Sequence, residues 1–168
     1  MKTNNVSSKA VLYLVQGALI AALYVVLTML FEPISFGPVQ FRISETLVVL
    51  PFFTPAAIPG VTIGCFLANL FSGAVVMDVA LGSLATLIGA VGTYLLRKHK
   101  YLVSAPPIVS NTLIVPWVLK IGYGAGDAVP FMMVTVGIGE ILAVAGLGTI
   151  LLLALERHKN VIFRMNAV

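Results

Sequence analysis

Charge is what this chain has least of. Only 10% of its 168 residues are Asp, Glu, Lys or Arg, against roughly 25% in soluble domains. With 60% hydrophobic residues and a mean hydropathy of +1.07, that deficit excludes an ordinary soluble domain and marks a membrane protein. Cysteine is nearly absent as well. Cys65 has no partner in the chain, which excludes a disulfide framework and a cysteine metal site and leaves packing as its role. No GxxxxGK[ST] loop is present to cradle phosphates, so ATP hydrolysis by that route is excluded. His99 and His158 lie in basic tracts with neither zinc-ligand spacing nor a neighbouring nucleophile, so nothing points to a hydrolase. No cofactor and no metal are expected.

The charge that is there is unevenly placed. Eight of the ten basic residues fall in three tracts: Lys2 with Lys9, then Arg97, Lys98 and Lys100, then Arg157, Lys159 and Arg164. Loops on the cytoplasmic side of membrane proteins are rich in Lys and Arg, so tracts at the beginning, middle and end imply an even number of crossings on either side of the middle one. Both termini are then cytoplasmic. The net charge of +4 is explained by topology and by contact with anionic headgroups rather than by nucleic acid, because no long basic face accompanies it.

A crossing needs about 20 mainly apolar residues, so the chain has room for six spans and no soluble domain. The expected fold class is an all-α integral membrane protein, residues 1–168 forming one transmembrane domain in a multi-pass arrangement in the cell membrane. The expected helices are 10–30, 42–53, 56–71, 76–96, 102–121 and 129–155, with an outer loop at 31–41 where Pro33, Gly37 and Pro38 break helices. The first stretch is too long for a signal-peptide core and reads as a retained helix. The turn at Thr54 and Pro55 carries no charge to orient it, so a re-entrant pair made from 42–71 is the topological alternative. Pro106, Pro107 and Pro116 predict a kinked fifth helix. Gly60 and Gly64, with Ala85, Gly89 and Gly92, have the spacing of close helix packing.

Setting aside the basic tracts and Glu156 leaves Glu32, Arg42, Glu45, Asp78, Lys120, Asp127 and Glu140, all placed by this topology in the outer half or outside. Glu140 lies ~16 Å into its helix at ~1.5 Å per residue. An acid there costs roughly 3 kcal/mol on insertion scales and needs an interior partner. Asn69, Asp78, Asn111, Glu45 and Glu140 reach similar depth on different helices and predict a polar cavity open to the outside, with Arg42 and Trp117 near its mouth. Each has a plainer reading. Arg42 and Glu45 are spaced for a surface ion pair, Asp78 for a helix N-terminus, Asn69 and Asn111 for interhelical hydrogen bonds. Trp117, Tyr24, Tyr94 and Tyr123 fit an interfacial belt. Acceptors outnumber cations in the set, which suits a ligand that is positively charged or rich in N–H donors, such as an amine-bearing purine-like ring. An intramembrane enzyme using Glu45, Asp78 and Glu140 is the rival from another class, and a small channel is a third.

Residues 39–45 (VQFRISE), 50–53 (LPFF), 54–69 (TPAAIPGVTIGCFLAN), 78–87 (DVALGSLATL) and 139–141 (GEI) resemble the QueT family, the substrate-binding S components of energy-coupling factor (ECF) transporters for queuosine precursors. The resemblance covers nearly the whole chain. It implies a six-helix S-component bundle that captures its substrate outside and docks on a transmembrane coupling subunit and two cytoplasmic ATPases. Ala18 and Ala22 match the AxxxA docking pattern of S components, with Ala21 adding to the small-residue face, and residues 31–41 resemble their lid. The implied ligand is 7-aminomethyl-7-deazaguanine, its nitrile precursor or queuine, bound without chemistry at Arg42, Glu45, Asn69, Asp78, Asn111, Trp117 and Glu140.

Overall fold

An apolar helix in water hides its hydrophobic stripe, whereas one in lipid has no reason to. Helix α1 (Thr3–Leu30) behaves in the second way: only 22% of its most apolar window is buried, and Val11, Leu14, Leu19, Val26 and Leu30 all point outward. The computed structural model describes residues 3–35 and 41–162, and every regular element among them is helical. Lys2, Arg164 and residues 36–40 of the expected lid lie outside the described residues.

After α1 come the short α2 (Glu32–Ser35), a 3₁₀ helix (Ile43–Phe52), α3 (Ala57–Phe71), α4 (Val76–Leu95), α5 (Ala105–Gly122), α6 (Val129–Glu140), a π-helical stretch (Ile141–Leu147) and α7 (Gly148–Ile162). Three stretches are long and apolar enough to cross a membrane: Lys9–Leu30, Val76–Leu95 and Val129–His158. Ile43–Phe52 and Ala57–Phe71 are apolar but short. Ten 3₁₀ residues extend ~20 Å at ~2.0 Å each, and the 15 of α3 about 22 Å.

Two pairs of regular helices make the frame, and glycine sets how near they come. A Cβ on Gly60 would stand 2.9 Å from the Gly17 carbonyl oxygen, and one on Gly64 would stand 2.7 Å from the Tyr24 Cβ, so α3 lies directly on α1. Likewise, a Cβ on Gly89 or Gly92 would collide with Pro107 or Pro106, which seats α4 on α5. The two prolines serve that contact from the first turn of α5, and the helix continues through Pro116. The turn after α3 is closed by Gly73 at φ 67°, whose neighbour Ala74 donates its N–H to the Asn69 carbonyl at 3.0 Å.

Between these pairs lie the irregular elements. The 3₁₀ helix is far longer than the three or four residues usual for that geometry, and Ser44, Glu45 and the run Leu47 to Pro51 are all buried. Its hydrophobic residues occupy every face because the surrounding helices cover every face. The sixth expected helix is not uniform either: at Glu140 it widens into the π stretch, which packs against the 3₁₀ helix. There the Thr46 hydroxyl donates to the Ala143 carbonyl at 3.3 Å, and the Ser104 hydroxyl reaches the Val144 carbonyl at 3.5 Å. Backbone groups released by the wider winding thus find side-chain donors. At one end of the bundle Lys100 pairs with Glu156, joining the middle basic tract to the start of the last one. Midway along α1, Gln16 accepts from the Thr54 hydroxyl at 3.0 Å.

Candidate binding site

A carboxylate drawn out of water keeps its charge only where donors or cations replace the water it lost. Glu45, in the first turn of the 3₁₀ helix and 1% exposed, has such donors from three other helices. Tyr24 of α1 donates its hydroxyl to Oε1, the Thr86 hydroxyl of α4 reaches the same oxygen at 3.2 Å, and the Asn111 amide of α5 reaches Oε2 at 3.4 Å. Beside it, Thr28 of α1 donates to the Ser44 hydroxyl at 2.7 Å, fixing the start of the 3₁₀ helix against α1.

One layer away, Arg42 caps the same 3₁₀ helix and meets Asp78 at 3.3 Å, both buried. Their burial overturns the reading of Arg42 and Glu45 as a surface pair, and Arg42 reaches across to the first turn of α4. Tyr123, at the end of α5, donates its hydroxyl to the same Asp78 oxygen at 3.0 Å. Partial burial, followed by the charge of Asp78, pushes the Tyr123 hydroxyl up to about 12 from the usual 10. Asn69 donates to the Asp78 backbone carbonyl at 3.1 Å.

Glu140 is the last residue of α6 and is 4% exposed. With Arg42, Glu45, Asn111, Val115 and Val136 it lines a cavity of about 10 Å³, room for about one water molecule. Among the described residues its Oε2 has no hydrogen-bond partner. A buried acceptor left so costs on the order of 1–3 kcal/mol, and more when charged. Three carboxyl groups therefore surround one guanidinium, and they are unequally satisfied.

The structure brings together Arg42, Glu45, Asn111 and Glu140 around the cavity. Asp78 joins through Arg42, and Asn69 through the Asp78 backbone. Trp117 is half-exposed and stands apart from the cavity wall. Tyr24, Thr86 and Tyr123 were missed as site residues, the two tyrosines having been assigned to the interfacial belt. A signal existed for Tyr24: Gly17, Ala21, Tyr24 and Thr28 recur at the spacing of one helix face, and a threonine on the face holding two small residues points inward. Among the described residues, no three His, Cys, Asp or Glu side chains converge as metal ligands would.

The sequence profile of the QueT transporter family matches residues 14–157. The chain belongs to that family. A relative in Lactococcus lactis subsp. cremoris, the queuosine precursor transporter QueT, is 49% identical over 73 residues, which are 42% of this chain and 43% of the relative's length. No solved structure matches the chain. The residues matched by the family include every carboxyl and donor group of the site, from Tyr24 to Glu140. Membership in a transporter family, with helices of crossing length and outward apolar faces, makes this a multi-pass membrane protein.

Proposed function

We propose that this chain is the substrate-capture subunit of an ECF-type importer, with six membrane crossings, both termini cytoplasmic, and a queuosine precursor as its ligand. The observation that carries the ligand class is the excess of carboxyl groups over cations around the buried cavity. Carboxylates accept from the N1–H and exocyclic amine of a guanine-like edge, and one more acceptor suits an aminomethyl ammonium. A free phosphate or carboxylate would meet two carboxyl groups there and a single guanidinium, Arg42, that is already paired with Asp78. The family and the Lactococcus relative support the same class.

Ligand pockets usually enclose about 300–1,000 Å³, so about 10 Å³ requires the walls to part before a bicyclic base enters. The segment leading to Arg42, residues 31–41, is the one expected to act as a lid.

Coupling to ATPases needs a surface as well as a pocket. Between α1 and α3 runs an apolar groove of about 610 Å³, with Ala18, Ala21, Ala22, Gly60 and Ile63 on its walls. Ala18 and Ala22 are exposed there and Ala21 is buried against α3. In our reading this groove receives the coupling subunit.

Two measurements test these statements separately. Purified protein is expected to bind a 7-deazaguanine by calorimetry and return it chemically unaltered by mass spectrometry; absence of binding, or a modified base, contradicts the capture role. Ala18→Trp is expected to abolish uptake while leaving binding intact, and loss of both would mean that this face packs within the chain.

A further inference from the structure

The three buried carboxyl groups differ in what already holds them. Both oxygens of Glu45 accept protein donors, from Tyr24 and Thr86 on one side and Asn111 on the other. Asp78 gives one oxygen to Arg42 and Tyr123. Its other oxygen is folded back over its own helix, where a Cβ at Gly82 would stand only 2.6 Å away. Among the described residues, Asp78 and Glu140 each have one oxygen with no protein partner, and of the two only Glu140 lines the cavity.

We infer that Glu140 is the residue that selects a positively charged ligand over a neutral one of the same shape, whereas Glu45 and Asp78 position the walls. The inference rests on the proposed ligand class and deepens it. A ligand ammonium donates to the open Glu140 oxygen and supplies the donor which that oxygen lacks. Arg42 is paired with Asp78 and both Glu45 oxygens already accept protein donors, so on the cavity wall the Glu140 oxygen is the acceptor left for the ligand to meet. A nitrile on the same ring brings no proton and no charge to this oxygen. Glu45 fixes the geometry of the wall for either ligand through its donors from three helices.

Two bases separate the roles: 7-aminomethyl-7-deazaguanine and 7-cyano-7-deazaguanine, titrated calorimetrically into the purified full chain in detergent. Losing a charge-assisted hydrogen bond lowers affinity by about tenfold to a hundredfold. Glu140→Gln is therefore expected to weaken the amine by that factor and the nitrile by no more than about twofold. Glu140→Asp, which keeps the charge, retains most of the preference for the amine. Tyr24→Phe, which removes a donor from Glu45, weakens both bases alike. The inference is overturned if Glu140→Gln weakens both bases equally or neither, or if Glu140→Asp loses the preference as fully as Gln does. Binding of neither base to the unaltered chain overturns the ligand class itself, and the inference with it.

Discussion

The regular helix pairs and the irregular seam between them use opposite means of packing. Where α1 meets α3 and α4 meets α5, side chains are removed: Gly60, Gly64, Gly89 and Gly92 let one backbone or proline ring rest against another. In the seam of 3₁₀ and π helices, polar groups are added, and several are tied to another element: Glu45 by Tyr24, Ala143 by Thr46, and Arg42 to Asp78 of α4. Lipid offers no hydrophobic reward for helix association, so close van der Waals contact is the economical way to build a frame. The contacts of such a frame carry no chemistry of their own. The seam holds the two glutamates, where the winding departs from the α geometry, and the frame helices supply the donors around Glu45. Irregular winding is tolerated at such depth because protein surrounds it and supplies partners for its backbone.

The largest break is expected at the ion pair. Removing one partner from a buried pair strands the other charge, at about 3–5 kcal/mol, so Arg42→Met should be the least stable single variant by SDS or thermal unfolding in micelles. Next comes the frame. Gly64→Leu forces a side chain into Tyr24 and the Ala21 carbonyl, an overpacking cost of about 3 kcal/mol. Gly126→Ala, where a Cβ meets nothing within 4 Å, serves as its control and should unfold like the parent. If the two glycine variants are equally stable, the close approach of α1 and α3 is not what holds the frame.

The smallest effect concerns the edge of the seam. Tyr123 donates to Asp78 only while protonated, and its folded value of about 12 lies above the usual 10. A group whose value is raised on folding contributes stability that is complete below the unfolded value and is lost as pH rises through the folded one. The stability difference between the parent and Tyr123→Phe should thus be constant below about pH 10 and shrink towards pH 12. A difference unchanged over that interval would mean that the hydroxyl does not donate to Asp78.

Much of the frame could be read from the chain because hydropathy and punctuation are strong there. Pro, Thr and Gly bracket residues 43–52, and the small-residue spacing on α3 and α4 is the contact spacing. The winding of the seam was not legible. Hydrophobic period distinguishes helix types only when one face differs from another, and residues 43–52 are covered on nearly every face. Residues 141–147 (ILAVAGL) contain no proline or charge to announce a π stretch. In the site, depth alone brought Glu45, Asn111 and Glu140 together. Depth could not say that Arg42 would turn to Asp78 rather than Glu45, since three-residue spacing permits a pair without requiring it. Tyr24 escaped because a ring with a polar tip suits a membrane interface as well as a buried hydrogen bond.

The central claim is that the seam holds two glutamates in different states of satisfaction, one tied by donors from three helices and one left open to the cavity. Unfolding Glu45→Gln and Glu140→Gln side by side, without ligand, tests it most directly. Replacing the Glu45 carboxylate by an amide weakens hydrogen bonds worth about 1.5–3 kcal/mol each when charged, so a loss of about 2 kcal/mol is expected. Glu140→Gln replaces a buried carboxyl group that has an unpartnered oxygen, and stability should stay within about 0.5 kcal/mol of the parent or rise. Equal losses in the two variants, or the larger loss at Glu140, would contradict the account.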